Sequence, residues 1–253
     1  MKKIIYSILI ALLICGSSYA QQFIDKAVIE YEVKTNVKKT IGNGTWAEML
    51  KENMPQFKTA YFNFTFADNK SIYKFSRWDE SAKVPEFLRR GDEENIWYFD
   101  FVNDKFSMQK DVVGSKFYVS DSIPQIEWKI SNESRQIAGF NCRKAVGKIM
   151  DSVYVFAFYT DEITISGGPC SISGLPGMIL GLTIPRMYTS FIATKVMVNG
   201  VNVSAIKPVE SKKPYTNAGL KKTINERIKE WTSEDDDEDS KMWRNQFIWG
   251  ILL

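Results

Sequence analysis

The sequence contains no histidine among its 253 residues. This absence excludes the Ser-His-Asp and Cys-His arrangements of nucleophilic catalysis, because both use an imidazole as the general base. It also excludes the histidine-containing zinc sites of exported hydrolases. We therefore expect a protein without enzymatic activity, and a hydrolase that works with carboxylates alone is the alternative.

Nucleotide and metal motifs are missing as well. The stretch GGPCSISGLPG at residues 167–177 fits neither G-x-x-x-x-G-K-[ST] nor G-x-G-x-x-G placed between a strand and a helix. The acidic run at residues 234–239 lacks the glycine and the alternate spacing of a calcium-binding EF-hand loop, and is typical of a solvated charged loop. The sequence therefore predicts no cofactor and no bound metal.

Long apolar runs are confined to the N-terminus. Lys2 and Lys3 precede the apolar stretch Ile4–Leu13, and residues 18–20 have the small-x-small form of a cleavage site. The stretch is shorter than the about 20 residues that a membrane-spanning helix needs. Residues 1–20 are therefore expected to be a signal peptide that is removed.

Export is expected to place the mature chain in the periplasm or at the outer membrane, with secretion as a further destination. A lipoprotein acylated at Cys15 is the alternative, although Ile14 is not the small residue that usually precedes such a cysteine. No later segment is long and apolar enough to span a membrane. Loss of Lys2 and Lys3 lowers the formal net charge from +3 to +1, so nothing indicates nucleic acid binding.

Only three cysteines occur, and two of them, Cys142 and Cys170, remain after cleavage. In an exported protein such a pair favours a disulfide over a metal site. A bond between them would stabilise the fold by about 3–4 kcal/mol in the chain-entropy model. The alternative is two free thiols, one of them a small buried residue of the core.

Strand patterns dominate from Ala27 to about Val203. In VIEYEVK, residues 28–34, apolar and charged residues alternate with the period of a half-buried strand. Three hairpins are predicted around the turns ADNK, VNDK and MD, which begin at residues 67, 102 and 150. A further long strand, MYTSFIATKVMV, ends at the turn pair Asn199-Gly200.

Helical patterns are few. TWAEMLKEN, residues 45–53, opens with a capping box and predicts a short helix. Near the C-terminus, apolar residues recur at helical spacing at Leu220, Ile224, Ile228 and Trp231. The segment from Arg77 to Asn95 has neither periodicity and is predicted to be an irregular surface loop.

These patterns predict a mainly β, α+β fold. We expect a curved antiparallel sheet or half-barrel of hairpins, with a short N-terminal helix and one or two C-terminal helices. No linker or repeat divides the chain, so residues 21–253 are expected to form a single domain with a C-terminal helical extension.

The motif formed by Gly174, Leu175, Pro176 and Gly177 is predicted to be a rigid turn. Proline fixes φ for the second position of a tight turn, and glycine supplies the positive φ of the third position in a type II turn. The following run, Met178–Ile184, lacks strict alternation, so we expect a strand covered on both faces. Gly181 within it indicates a bulge or a close backbone approach.

The segment MWRNQFIWGILL at residues 242–253 is unusually apolar for its position. It either docks on the sheet, which we favour, or offers a surface to a partner. In the second case, Trp243, Phe247 and Trp249 are the candidate contact residues. The partner would be an outer-membrane or periplasmic protein.

GLPGMI at Gly174–Ile179, preceded by YTDEITISGGP at Tyr159–Pro169, resembles the pattern of the GLPGLI family of exported Bacteroidota proteins. WKI at Trp128–Ile130 and IAGFNCRKA at Ile137–Ala145 agree with the same family in order and spacing. The resemblance extends over roughly residues 28–198. It implies an envelope protein of uncharacterised function and transfers no catalytic residues.

The expected export, the aromatic-rich strands and the missing catalytic groups favour a non-enzymatic binding or accessory protein. We expect the concave face of the sheet to accept an apolar, lipid-like ligand or a segment of a partner protein. A purely structural role in the envelope and a carboxylate-based hydrolase, such as a glycosidase, are the alternatives.

Overall fold

The computed structural model describes residues 23–41, 45–80, 84–150, 152–229 and 238–253. The expected signal peptide with Cys15, Trp231 and most of the acidic run at 234–239 lie outside these ranges. None of the helices within the described ranges is long and apolar enough to cross a membrane.

The described chain is mainly β, as predicted. The strands are β1 Ala27–Asn36, β2 Phe57–Ala67, β3 Lys70–Trp78, β4 Ile96–Asp100, β5 Lys105–Val112, β6 Ser115–Asp121, β7 Trp128–Ile137, β8 Phe140–Ile149, β9 Val153–Thr160, β10 Met178–Ile184 and β11 Thr189–Met197. The α-helices are α1 Val37–Thr40, α2 Thr45–Glu52, α3 Glu86–Glu94, α4 Asn217–Lys229 and α5 Glu238–Leu252. Short 3-10 turns lie at Pro185–Met187 and Val203–Ala205.

The eleven strands form one antiparallel sheet in the order β6-β5-β4-β3-β2-β1-β11-β10-β9-β8-β7. Strands that follow each other in the chain are neighbours, with one exception. β6 and β7 lie at opposite edges of the sheet, and β1 pairs with β11 in its middle. The sheet therefore consists of two ladders of consecutive strands joined along β1 and β11.

The connection between the two edge strands shows that the sheet is curled. Ser122–Glu127 joins β6 to β7, and its seven Cα steps reach at most about 25 Å. The outer strands of a flat eleven-stranded sheet lie about 48 Å apart. The sheet must therefore bend until its edges approach each other, and because β6 and β7 do not pair in the described ladders, it stays an open half-barrel.

The inner face of the curled sheet holds the core. On β1, Ile29 and Tyr31 are fully buried, which follows the predicted alternation, and Phe64 on β2 is buried on the same face. Each such side chain contributes about 1.5–3 kcal/mol through the apolar surface that it removes from water. Glu30 points to the outer face, where Arg77 pairs with its carboxylate at 3.2 Å.

The C-terminal helices pack on this inner face. Leu220 and Ile224 of α4 and Ile248 and Ile251 of α5 are buried in the same core as the strands. The apolar C-terminal segment therefore docks on the sheet, the arrangement we favoured. Much of the concave face is filled by the chain's own helices, so a ligand site has to be sought at its margin.

The three predicted hairpins are confirmed as β2–β3, β4–β5 and β8–β9. In the first of them, Asp68 and Asn69 both have positive φ, 51° and 57°. This backbone matches the two-residue turn whose twist suits a hairpin. The short helix predicted from residue 45 is confirmed as α2.

The prediction of an irregular loop between Arg77 and Asn95 was wrong, because residues 86–94 form α3. Contacts made by polar side chains hold this helix. Arg89 pairs with Glu93 one turn later at 3.2 Å, and Asp92 pairs with Lys58 of β2 at 2.6 Å. Such contacts leave no apolar periodicity in the sequence, so the pattern gave no signal for the helix.

Candidate functional site

Leu175, Pro176 and Gly177 form a turn directly before β10, but its type differs from the prediction. The Gly177 N–H donates to the Leu175 oxygen at 2.7 Å, which closes a three-residue turn around Pro176 instead of a type II turn. The N–H of Met178, which would close the type II turn, donates to Ile163. Gly177 has the expected positive φ, 138°, and a Cβ there would lie 2.0 Å from the Thr160 oxygen.

The strand that follows agrees with the prediction. All residues of β10 except Thr183 are buried, so the strand is covered on both faces. The pairing with β9 shifts register between Ile179 and Gly181, which marks a bulge. A Cβ at Gly181 would also lie 2.7 Å from the Ile137 Cδ1 atom, so the glycine allows a close approach as well.

The segment between β9 and β10, residues 161–177, runs through the interior of the half-barrel. Ile163 and Leu175 in it are at most 1% exposed. Its backbone is hydrogen-bonded inside the core, for example from the Gly174 N–H to the Ser166 oxygen at 3.2 Å. Because buried peptide groups need partners, this loop is a fixed part of the core and not a surface excursion.

The predicted disulfide is absent, since Cys142 and Cys170 are both free, buried thiols. Cys142 lies on β8 opposite Arg135 of β7, and its thiol donates to the Phe140 oxygen at 3.6 Å. Cys170 lies in the buried loop, within electrostatic reach of Lys110. The strand ladder and the loop thus fix the two thiols against different neighbours.

Lys110 is a buried cation on the inner face of β5, at 5% exposure. Its Nζ lies 4.5 Å from the centroid of the Trp97 ring, and no ion pair joins it to a carboxylate of the described residues. Burial lowers the pKa of its amine to about 8, whereas the neighbouring Cys170 and Asp92 act in the opposite direction. A fraction of this amine is therefore neutral at physiological pH.

Tyr73 lies beside Lys110 on the same indole. Its ring packs on Trp97 with 5.4 Å between centroids, and its buried hydroxyl has no hydrogen-bond partner in the described chain. Burial raises the pKa of Tyr73 well above its usual value and the pKa of Cys170 to about 12. We call Tyr73, Trp97, Lys110 and Cys170 the inner cluster. Its thiol is protonated at neutral pH and is no thiolate nucleophile.

A cavity of about 540 Å³ lies beside the connection between the two edge strands. Its walls are formed by Pro124–Glu127, by Lys148–Met150 at the end of β8, by Ser171 and Ile172 of the buried loop, and by Leu252 of α5. The beginning of α4 completes the lining. We call this cavity the gap pocket, because it lies where the two ends of the half-barrel approach each other.

The gap pocket combines seven apolar lining residues with six polar or charged ones. Ser171, at 7% exposure, is the buried polar residue of this lining. Lys148 and Lys221 are exposed lining residues and Glu127 is the acidic one, so the lining carries a net positive charge. An oxygen-bearing anion with an apolar body suits this environment.

A larger cavity of about 650 Å³ lies on the outer face, beneath the segment Pro208–Pro214. Its buried polar side chains already have partners. The Ser107 hydroxyl accepts the Val209 N–H at 3.0 Å, and Asp100 accepts from the side chain of Asn103 at 2.9 Å. The gap pocket has the larger share of apolar lining residues, seven of thirteen against five of twelve, and is therefore the better candidate site for a ligand with an apolar body.

The three candidate contact residues on α5 do not form one patch. Trp243 is 41% exposed and stacks on Phe247, with 5.5 Å between ring centroids. Trp249 instead faces Arg186, whose guanidinium lies 5.8 Å from its ring centroid. Phe247 and Trp249 are both half-buried against the core, so Trp243 is the one that remains open to a partner.

Lys110 and Ser171 are candidate residues that the sequence analysis missed. A signal for Lys110 exists, because in FSMQKDV it continues the alternation of Phe106 and Met108, which both point inward. Ser171 has no such signal, since the path of a buried loop is not set by alternation. Within the described ranges, no group of three or more acidic or cysteine residues is placed to bind a metal ion.

Two crystal structures of PNGF-II are similar to this chain at low sequence identity. The form in space group P21 is 16% identical, with a TM-score of 0.44, and the match covers 75% of this chain and 29% of that one. The form in space group C2 is 13% identical, with a TM-score of 0.46, and the match covers 88% of this chain and 32% of that one. The chain thus spans about a third of that protein's length, and nothing about its own function follows from the likeness.

None of the curated proteins is detectably similar to this chain in sequence. A family model described as "Protein of unknown function (Porph_ging)" matches residues 147–181. The matched segment includes Lys148–Met150, the buried loop with Ser171 and Ile172, and the motif turn. Over these residues, which supply two walls of the gap pocket, the chain is similar to a protein family of unknown function.

Proposed function

We propose that this protein is a non-enzymatic, exported binding protein that holds a single-chain amphiphile with an anionic head group in the gap pocket. One observation carries the proposal. The lining combines seven apolar residues with a net positive charge, which suits an apolar chain that ends in an anionic head group.

The size of the pocket suits one acyl chain. Its volume of about 540 Å³ lies in the usual range of about 300–1,000 Å³ for small-molecule sites. Burying about ten methylene groups contributes about 8 kcal/mol before the costs of binding. A free energy of about 8 kcal/mol corresponds to about 1 μM, and immobilising the ligand consumes part of it, so we expect a weaker dissociation constant on the order of 100 μM.

The proposed location is the periplasm or the outer membrane, following the signal peptide expected at residues 1–20. Resemblance of GLPGMI, residues 174–179, and its preceding segments to the GLPGLI family supports an envelope protein. Membrane lipids and their single-chain products are present in that compartment. An amphiphile-binding protein would therefore meet its ligand there.

The first experiment is a native mass spectrum of the mature protein purified gently from its own envelope. We expect an added mass of a few hundred daltons that disappears under denaturing conditions. Calorimetric titration of the stripped protein with dodecanoate, dodecyl phosphate and dodecanol then distinguishes the two anionic head groups from a neutral one. Equal affinity for all three would contradict the anionic preference.

A variant that fills the pocket tests its location. Ala218 is an exposed lining residue on the first turn of α4, so Ala218→Trp occupies the cavity without disturbing the core. We expect it to weaken dodecanoate binding at least tenfold. Lys222→Trp is the matched control on the same helix, outside the lining, and should bind normally. Equal binding by both variants would place the ligand elsewhere.

A contact with a protein partner is the second candidate function, favoured by the exposed Trp243 stacked on Phe247. Trp243→Ser alone is a better test than replacing all three candidate contact residues, because Phe247 and Trp249 also pack on the core. Cross-linking in the native envelope should capture one defined outer-membrane or periplasmic protein with the wild type and lose it with the variant. Purified protein that cleaves an envelope glycan, with loss of activity on replacing one carboxylate, would instead favour the hydrolase.

A further inference from the structure

The C-terminal end of α5 is anchored inside the half-barrel by two hydrogen bonds to one atom. The main-chain oxygen of Leu253 accepts from the Trp97 indole N–H at 2.9 Å and from the Ser171 N–H at 3.0 Å. Both distances are those of ordinary N–H···O bonds. Leu253 itself is 5% exposed, so the anchor lies away from solvent.

Residues of this anchor also form the wall of the gap pocket. Ser171 uses its N–H to hold Leu253, while its side chain lines the pocket. Leu252, the preceding residue of α5, supplies part of the apolar lining. The pocket is therefore complete only when the end of α5 is docked.

The opposite half of α5 carries the stacked aromatic pair. Trp243 and Phe247 stack on each other about two turns before the anchor. Ile248 and Ile251 bury the helix against the sheet between the pair and the anchor. Because a helix of 15 residues moves largely as one rod, release of its anchored end shifts the aromatic pair as well.

We infer that a ligand in the gap pocket fixes α5 on the sheet along its whole length, including the half of the helix that carries Trp243 and Phe247. This inference rests on the proposed amphiphile-binding function. A ligand that touches Leu252 binds the docked state more tightly than the undocked state, so it shifts the equilibrium towards docking.

Hydrogen exchange of the full-length mature protein tests the inference, with dodecanoate as the probe. At about 100 times the dissociation constant, local opening of α5 should be suppressed by up to about 100-fold. We expect slower exchange in peptides from residues 248–253 and also from 242–247, which do not line the pocket. Amides of α3 serve as the internal reference and should not change.

A matched pair of tryptophan variants tests the anchor itself. Trp97→Phe keeps the ring beside Lys110 and removes the N–H that holds Leu253. Loss of one such bond should speed exchange across α5 about five-fold, and saturating dodecanoate should slow it again. Trp78→Phe removes an indole N–H bonded to Glu93 at an exposed position, and should leave α5 unchanged.

The outcomes separate the inference from the proposed function. Absence of any calorimetric signal with dodecanoate would remove the proposed function and leave the inference without a ligand. Binding heat without protection of residues 242–247 would overturn the inference while the binding function stands. Protection of both segments, lost in parallel with binding in Ala218→Trp, would support it.

Discussion

The two ladders of the half-barrel fill the inner face with different side chains. The ladder β1–β6 uses mainly rings, among them Tyr31, Phe62, Phe64, Phe66, Tyr73, Trp97, Phe99 and Phe106. The ladder β7–β11 buries two rings there, Tyr159 and Phe191, and otherwise uses small and aliphatic residues, among them Ala145, Val153, Val155, Ala157, Leu182 and Ala193. Two halves of one sheet therefore achieve the same burial with very different volumes per residue.

The difference explains where the buried loop lies. Small side chains on β8 and β9 occupy little of the interior, so residues 161–177 fill the volume that rings occupy on the other side. The loop brings backbone groups and hydroxyls into the core, which rings alone would not. The polar candidates Cys170 and Ser171 thus come from the loop, at the boundary between the two kinds of packing.

The largest expected loss of stability comes from a substitution directly before β10, in the ladder β7–β11. Gly177→Ala places a Cβ 2.0 Å from the Thr160 oxygen at a φ of 138°, so it should cost about 4 kcal/mol or more, or prevent folding. Gly200→Ala is the matched control, with a φ of 74° and open space around it, and should cost about 1 kcal/mol. Urea unfolding measures the free energy of unfolding of both variants. Equal losses of stability would show that the turn at Gly177 can shift to accommodate the Cβ.

The second effect sharpens the contrast between the ladders. Phe64→Ala removes a fully buried ring and should cost about 3–5 kcal/mol, because surrounding rings cannot collapse into the cavity. Val155→Ala on β9 deletes two carbons from an equally buried site and should cost about 2 kcal/mol. Urea unfolding of both variants tests this order, which the reverse result would contradict.

The third substitution is expected to raise the free energy of unfolding, whereas the first two lower it. Lys110 has a pKa of about 8 when folded against 10.5 as its ordinary value, so below pH 8 the folded state buries a charge that the unfolded state leaves in water. Lys110→Met should therefore stabilise the protein at pH 7 by up to about 3 kcal/mol. Between pH 8 and 10.5 the folded amine loses its proton first, so wild-type stability rises and the difference shrinks.

Thermal unfolding of both proteins across this pH range measures the effect. Burial keeps the Cys170 thiol protonated in that window, so it does not contribute a second titration. Lys105→Met, an exposed position on the same strand, is the control and should show no pH-dependent gain. A constant difference at every pH would mean that packing, and not charge, decides the stability.

The smallest effect concerns the gap pocket. Lys221 lines it and the adjacent Lys222 does not, although both are exposed on α4. Lys221→Ala should weaken dodecanoate binding about threefold at low ionic strength, and added salt should remove the difference. Lys222→Ala should bind like the wild type in calorimetry. Equal weakening by both would indicate a general effect of charge on the helix.

Local patterns predicted most of the fold. Alternation located β1, the turn residues located three hairpins, and the lack of alternation in Met178–Ile184 correctly indicated a strand covered on both faces. The predicted disulfide was wrong because pairing of Cys142 with Cys170 depends on distance in space. The crossing from β6 to β7 has no local signature, so the gap pocket beside it was not predicted.

Ser122–Glu127 also marks a natural point of division. A cut there would give one fragment with β1–β6 and another with β7–β11 and both C-terminal helices. The fragments would rejoin along β1 and β11, whose eight residue pairs run from Val28 with Met197 to Thr35 with Thr189. Complementation between the two fragments would then measure the strength of the pairing between β1 and β11. This makes the half-barrel a candidate scaffold for a split reporter.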